Sequence, residues 1–245
     1  MARVGGVGES AALRQTRFRA GEGATHFLLV RHGESAAADP GAEWPTVDGH
    51  GNPPLHPHGR AQASAVAERL RHEPISAVYI TPLDRTRDTA APLLRALGVD
   101  ARVEPDLREV HLGEWESPQA RKYFADGHPI ARRINEEERW DIPPGAEPHE
   151  AFGARITAAI NRIAERHPGE VVAVFSHGGV IGRLLAEATG SRPFAFTVPD
   201  NASISHLVVH GSKWSLRGFN DTSHLSPRLI DAPELPWSDT AASSV

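Results

Sequence analysis

The chain contains no cysteine, which excludes a disulfide framework, a thiolate metal site and a cysteine nucleophile together. Lysine is almost absent too: Lys122 and Lys213 are the only two, so nearly all the positive charge is arginine. GC-rich coding accounts for that bias, and for the abundance of Ala, Gly and Pro, without a functional meaning. The segment Gly5-Gly6-Val7-Gly8-Glu9-Ser10 fails as a phosphate-cradling P-loop, because that motif needs a lysine and a preceding strand. No apolar stretch approaches the roughly 20 residues of a membrane-spanning helix, and no basic-then-apolar leader opens the sequence. The chain therefore reads as a soluble, cytoplasmic protein without a membrane partner. Basic excess is lacking as well: the net charge of −5 argues against a nucleic-acid partner, since such proteins carry cations to neutralise phosphates. Any anion site must be local.

What is present suits one α/β domain. A chain of 245 residues with 40% hydrophobic content is long enough to bury a full core without splitting. Residues 1–24 are rich in Gly, Ala, Ser and Arg, show no sustained periodicity, and read as a flexible extension. Residues 25–226 read as the domain, and residues 227–245 as a polar tail; no internal repeat or linker marks a second unit.

The apolar run His26-Phe27-Leu28-Leu29-Val30 leads directly into Arg31-His32-Gly33-Glu34. Far downstream, Val171-Val172-Ala173-Val174-Phe175 leads into Ser176-His177-Gly178-Gly179. A third run, Ala77-Val78-Tyr79-Ile80, leads into Thr81-Pro82-Leu83-Asp84-Arg85-Thr86. Short continuous apolar runs, rather than alternating ones, are what a sheet covered by helices on both faces requires. The expected fold is a three-layer α/β/α sandwich with a mostly parallel central sheet. In such sheets ligands bind outside the carboxyl ends of the strands, so the two histidines and the arginine should meet there.

Helices are expected around His58–Arg71, with Ala61, Ala65, Val66 and Leu70 facing the sheet, and over Asp84–Leu97, closed by Gly98 as a left-handed cap. A short strand follows near Ala101–Val103. A further helix runs from about Pro148 to His167, with Phe152, Ile156, Ile160 and Ile163 on one stripe. Another follows Gly178-Gly179, and two edge strands lie near Ile204–Val209 and Trp214–Phe219. Two irregular stretches stand out. Residues 36–54 form a long Gly/Pro-rich loop, either a substrate gate or surface decoration. Residues 117–147, broken by Pro118, Pro129, Pro143 and Pro144 and with a helix about Ile130–Trp140, look like a cap inserted over the carboxyl edge.

Four separated stretches resemble the histidine phosphatase superfamily, the phosphoglycerate-mutase-like proteins. They are Leu29-Val30-Arg31-His32-Gly33-Glu34-Ser35, Thr81 to Ala90, Leu107-Arg108-Glu109-Val110-His111-Leu112-Gly113-Glu114-Trp115-Glu116, and Ser176-His177-Gly178-Gly179-Val180-Ile181. The resemblance implies a phosphomonoester as small-molecule substrate and a set of catalytic roles. His32 is the nucleophile, a role neutral imidazole can take near pH 7. Arg31, Arg85 and His177 hold the phosphoryl oxygens, where positioning and electrostatic stabilisation dominate. Glu109, in the segment similar to the family's acid-bearing loop, protonates the leaving oxygen. Gly33, Ser35, Gly178, His111 and Asn201, the last in Pro199-Asp200-Asn201-Ala202-Ser203, are placed around the substrate. Backbone N–H groups at Gly178 and Gly179, opening a helix, extend the anion site.

This inventory needs no metal and no cofactor; His56-Pro57-His58 lacks the partner carboxylates a metal would want. Two departures favour phosphatase over phosphoglycerate mutase: Ser35 is followed by Ala36-Ala37-Ala38-Asp39 where mutases usually carry an asparagine, and the stretch from Glu109 to His177 is short for a mutase insertion. A cofactor-dependent mutase and a catalytically silent phosphate-binding module remain open alternatives, as does a homodimer paired through edge strands.

Overall fold

The structure, a computed structural model, describes Gln15, residues 17–39 and residues 41–225. Most of the expected N-terminal extension and all of the expected tail 227–245 lie outside the described residues. In chain order the elements are β1 (Thr25–Arg31), β2 (Thr46–Val47), β3 (His50–Gly51), α1 (Pro57–Leu70), β4 (Ile75–Ile80), α2 (Asp84–Leu97), β5 (Ala101–Val103), α3 (Gln119–Ala125), α4 (Pro129–Glu137), α5 (His149–Arg166), β6 (Val171–Ser176), α6 (Gly178–Thr189), β7 (Ile204–His210) and β8 (Lys213–Asp221).

One six-stranded sheet has the order β5-β4-β6-β1-β7-β8. β5, β4, β6 and β1 are parallel, while β7 and β8 run antiparallel at one side. Alternation along each buried strand splits the core in two. Phe27, Leu29, Tyr79, Val172 and Val174 face α5 and α6, meeting Phe152, Ile156, Ile160, Ile163, Val180, Ile181 and Leu184. Val30, Val78, Ile80, Ala173 and Phe175 face α1 and α2, meeting Val66, Ala67, Leu70, Ala90 and Leu93. The three-layer α/β/α expectation holds.

Differences lie where pattern alone is weak. The buried stripe of α1 runs through Gly59, Ala63, Val66, Ala67 and Leu70, so Ala61 does not face the sheet; alanine is too common here to mark a face. The two C-terminal strands are not both edges: β7 pairs with β1 as well as β8, leaving β8 and β5 as the sheet's edges. Pairing partners are invisible in a strand's own residues. The 36–54 loop contains the small β2/β3 hairpin. The cap region carries two helices rather than one, α3 and an α4 that ends at Glu137 instead of Trp140, around a small core of Trp115, Ala120, Ala131 and Ile134. Gly98 does close α2, at φ 67° in the left-handed region.

Candidate active site

β1 and β6 lie side by side with Arg31 opposite Ser176, so the residues after them, His32 and His177, emerge together at the carboxyl edge. Their rings stand 5.3 Å apart at 60°. The backbone of His32 is held from two sides: its N–H donates to Ser176 O (3.0 Å), and its carbonyl accepts from Ala202 N (3.2 Å) and from Asn201 Nδ2 (2.9 Å). Its ring Nδ1–H donates to the Gly33 carbonyl (2.8 Å). That bond fixes the tautomer, leaving the Nε2 lone pair free.

Burial holds the His32 imidazole well below its ordinary proton affinity, and the nearby Arg85 and Arg31 guanidiniums push the same way. His177 is held neutral likewise, by burial first and by Arg85 and His32 after it. His177 Nε2 meets the Thr81 hydroxyl at 3.0 Å, while its Nδ1 is buried with no hydrogen-bond partner among the described residues. The Nε atom of Arg31 is orphaned in the same way.

Arg85 sits in the first turn of α2, where β4 hands the chain over through Thr81. A cluster of three threonines ties this corner: Thr86 Oγ1 donates to Leu83 O (2.8 Å), Thr89 Oγ1 donates to Arg85 O (2.6 Å) and accepts from Gly33 N (2.9 Å). Arg85 Nη1 donates to Gly51 O (2.9 Å), and Arg31 Nη1 donates to Pro199 O. Among the described residues neither guanidinium forms a salt bridge. Arg85 is nonetheless buried and Arg31 half-buried, and burial pushes Arg85 down to about 10. Burying a cation without a partner is costly, so this crevice is built to receive an anion.

Glu109 completes the constellation. Its Oε2 accepts from Gly179 N (3.1 Å) at the start of α6, and its Oε1 from Val110 N (3.0 Å). A Cβ at Gly179 would lie 2.5 Å from Glu109 Oε1, so only glycine admits the carboxylate here. Arg155 on α5 holds the Glu109 loop from behind: it donates to the carbonyls of Asp106 (2.6 Å), Arg108 (2.9 Å) and Glu109 (3.0 Å) and pairs with Glu147 through two bonds.

Of the residues expected at the site, His32, Arg31, Arg85, His177, Glu109 and Gly178 therefore converge. Gly33 contributes no free amide, because Thr89 takes its N–H. Asn201 points its amide at the His32 backbone and lines the crevice, as does Ser35, which forms a bridge with Leu55. His111 is engaged in structure: Nδ1 accepts from Gly113 N (3.1 Å) and Nε2–H donates to Gly49 O (3.3 Å). His56 and His58 both face Glu34. Among the described residues no three His, Cys, Asp or Glu side chains gather as a metal cluster.

Besides Arg155, sequence reasoning missed four contributors. His50 Nε2–H donates to Glu109 O (3.2 Å); Glu116 accepts from Gly51 N (2.8 Å) and Leu112 N (2.9 Å); Asn52 exchanges two bonds with Asp84 (both 2.9 Å). These pin the 46–52 hairpin against the site, so this part of the loop is a wall rather than decoration. Arg121, on α3 of the cap, lines the same 240 Å³ crevice as Arg31 and His32. Its residue type was visible, but nothing in its spacing distinguished it from the other surface arginines.

The model of the histidine phosphatase superfamily, branch 1, matches residues 27–222. The chain belongs to this superfamily. By family it is a histidine-type phosphatase. It is 33% identical to phosphoglycerate mutase-like protein 4 of Arabidopsis thaliana, covering 81% of this chain and 86% of that one. It is 32% identical to a metal-independent phosphoserine phosphatase of the same plant, over 82% and 84%. Among solved structures, mycobacterial glucosyl-3-phosphoglycerate phosphatase superposes with a TM-score of 0.67 at 28% identity, covering 81% of this chain and all of that one. No described helix of this family member is long and apolar enough to cross a membrane.

A consequence for stability follows from the two neutral histidines. Their folded-state proton affinities lie below the unfolded value of 6.5, so below that pH the unfolded chain binds the extra protons. Stability is then present above pH 6.5 and is lost as pH falls, at about 1.4 kcal/mol per pH unit for each histidine that stays neutral. Without phosphate, Tm should drop steeply between pH 6.5 and 5. Thermal scans across that range check it, and a flat Tm would contradict the burial-driven shift.

Proposed function

We propose that this chain hydrolyses a small phosphomonoester without a metal, through a phosphohistidine on His32. The observation that carries the reading is a buried imidazole with Nδ1 tied and Nε2 free, flanked by the buried Arg85 and half-buried Arg31 guanidiniums, neither of which forms a salt bridge among the described residues. In the first step His32 Nε2 attacks phosphorus and the ester P–O bond breaks. Arg31, Arg85 and His177 take up the charge on the equatorial oxygens. For His177 to donate through its orphan Nδ1–H, its Nε2 accepts a hydrogen bond from the Thr81 hydroxyl. Glu109 supplies a proton to the leaving oxygen. In the second step its carboxylate takes a proton from water, which attacks phosphorus, breaks the P–N bond and returns neutral His32 with inorganic phosphate. Asn201 is a positioning residue that holds the nucleophile's backbone, and 117–147 is the cap over the leaving group.

The metal-independent phosphoserine phosphatase among the relatives supports a reaction that uses protein groups alone. Phosphoglycerate mutase remains the second reading, on the strength of the mutase-like relative. Assaying inorganic phosphate from a panel of phosphomonoesters, with chelator and without 2,3-bisphosphoglycerate, separates them. Chelator-resistant release is expected. Isomerisation of phosphoglycerate that requires the bisphosphate and frees no phosphate would overturn the hydrolase in favour of the mutase.

A further inference from the structure

Backbone strain gathers at one corner beside the phosphoryl crevice. Of the five non-glycine residues with positive φ among the described residues, three lie here: Val198 (52°), Ala202 (61°) and Asn220 (55°). Such conformations persist only where surrounding contacts over-determine them. Asn220 sits at a bulge in β8. Between the pairs Ile204↔Asp221 and His206↔Gly218, β8 has one residue more than β7, and the Asn220 N–H leaves the ladder for Ser205 Oγ (3.2 Å). Bulges re-aim side chains, and this one turns Asn220 onto the loop between α6 and β7. There it meets Asp200 reciprocally: Asn220 Oδ1 accepts from Asp200 N (2.6 Å), and Asn220 Nδ2 donates to Asp200 Oδ2 (2.8 Å). His224 ties the same loop a second time, its Nε2–H donating to Ala202 O (3.0 Å).

The inner edge of that loop faces the end of β1. Ala202 N donates to Arg31 O (3.0 Å), and Arg31 N donates to Ser203 O (3.1 Å). The buried Pro199, next in the chain to Asp200, turns its carbonyl to the Arg31 guanidinium. Among the described residues this carbonyl is the guanidinium's one hydrogen-bond partner, since Nε has none. The two Asp200–Asn220 bonds lie at the surface, where water competes for both partners and a hydrogen bond adds little to stability. Their value is geometric. We propose that Asn220, acting through Asp200, is a positioning residue for Arg31: the pair fixes the Pro199 carbonyl, and that carbonyl aims the guanidinium at the phosphoryl oxygens. This rests on the phosphomonoester reading above.

Inorganic phosphate is the probe, titrated by calorimetry into the full chain with chelator present. Asn220→Gly keeps the left-handed backbone and deletes the amide. Its phosphate Kd should rise about tenfold, inside the roughly 10²-fold that a 1 Å misplacement can cost. On an Arg31→Met background, where Arg85 and His177 still hold phosphate, the same replacement should change Kd by less than about twofold, because the group being aimed is gone. Asn220→Asp sets two carboxylates face to face and should weaken phosphate at least as much. Combining it with Asp200→Asn should recover most of the loss, since the amide then donates from the other side. An Asn220→Gly variant that binds phosphate like wild type, or loses affinity equally with and without Arg31, overturns the positioning role. So does an exchange that recovers nothing, or a wild type without phosphate affinity. A wild type that shows this coupling yet releases no phosphate from any ester disproves the hydrolase and keeps the positioning role.

Discussion

Replacing His32 with alanine abolishes release of inorganic phosphate, with kcat falling by about 10⁴- to 10⁶-fold, the range seen when a covalent nucleophile is removed. No substitute stands ready. His177 is the nearest imidazole, 5.3 Å away between centroids, but its Nε2 is engaged by Thr81, and its Nδ1–H donates a hydrogen bond to a phosphoryl oxygen in the proposed reaction. The fold should survive, because the His32 ring makes a single hydrogen bond, to its own neighbour's carbonyl, while the backbone contacts that hold the loop do not involve the side chain. Two readouts check the result. Substrate labelled in the phosphoryl group should leave an acid-labile, alkali-stable label on the wild type and none on His32→Ala. Loss of turnover with the label retained would move the nucleophile elsewhere. Replacing His177 with alanine should be milder, about 10²- to 10³-fold, as for loss of one donor to a developing oxyanion.

The parts of the site legible in the sequence are those carried by strand ends. A buried parallel strand must be continuously apolar, so the switch from Val30 to Arg31-His32, or from Phe175 to Ser176-His177, marks a carboxyl edge without further help. Glu109 was reachable only through the family resemblance, since Glu114 and Glu116 compete with it by type. Glu116 turns out to tie Gly51 of the hairpin to Leu112 of its own segment. What stayed hidden depends on partners far away in the chain. Arg155 is one of many helix-surface arginines until α5 brings it behind residues 106–109, and Arg121 is another until the cap folds onto Ala36 and Trp44. The same holds for β7: its own residues read as a strand, but its place between β1 and β8 is a property of the pairing. Gly33 shows the reverse case. Its motif suggested substrate contact, whereas its packing against Gly59, whose oxygen a Cβ would meet at 2.5 Å, and its bond to Thr89 give it a structural use.

Arg85→Met should separate stability from function. Arg85 is buried in the first turn of α2, where the helix dipole is positive, beside Arg31, with one carbonyl bond and, among the described residues, no salt bridge. Burial pushes its proton affinity down to about 10, with Arg121 and Arg31 acting the same way against the raising charges of Glu109 and Glu116. Methionine has similar reach and no charge to desolvate. Removing a buried charge that has no salt-bridge partner removes its desolvation cost; the Gly51 carbonyl left without a donor and the lost attraction to Glu109 and Glu116 hold the gain to about 1 kcal/mol, the low end of what replacing a whole buried ion pair by apolar groups gives. The ligand-free variant is therefore expected to melt higher than wild type, by roughly 2–4 °C for each kcal/mol in a chain of this size. Its kcat/KM should fall by at least about 10³-fold, the scale of losing a charged donor to the transferring phosphoryl group. Adding phosphate discriminates: ligand binding raises wild-type Tm by mass action, and the variant should lose most of that increment. A ligand-free variant that melts well below wild type would mean that Arg85 supports the fold rather than the anion. The opposite signs expected for stability and turnover follow from one fact, that the crevice holds its positive charge in place before the phosphate arrives.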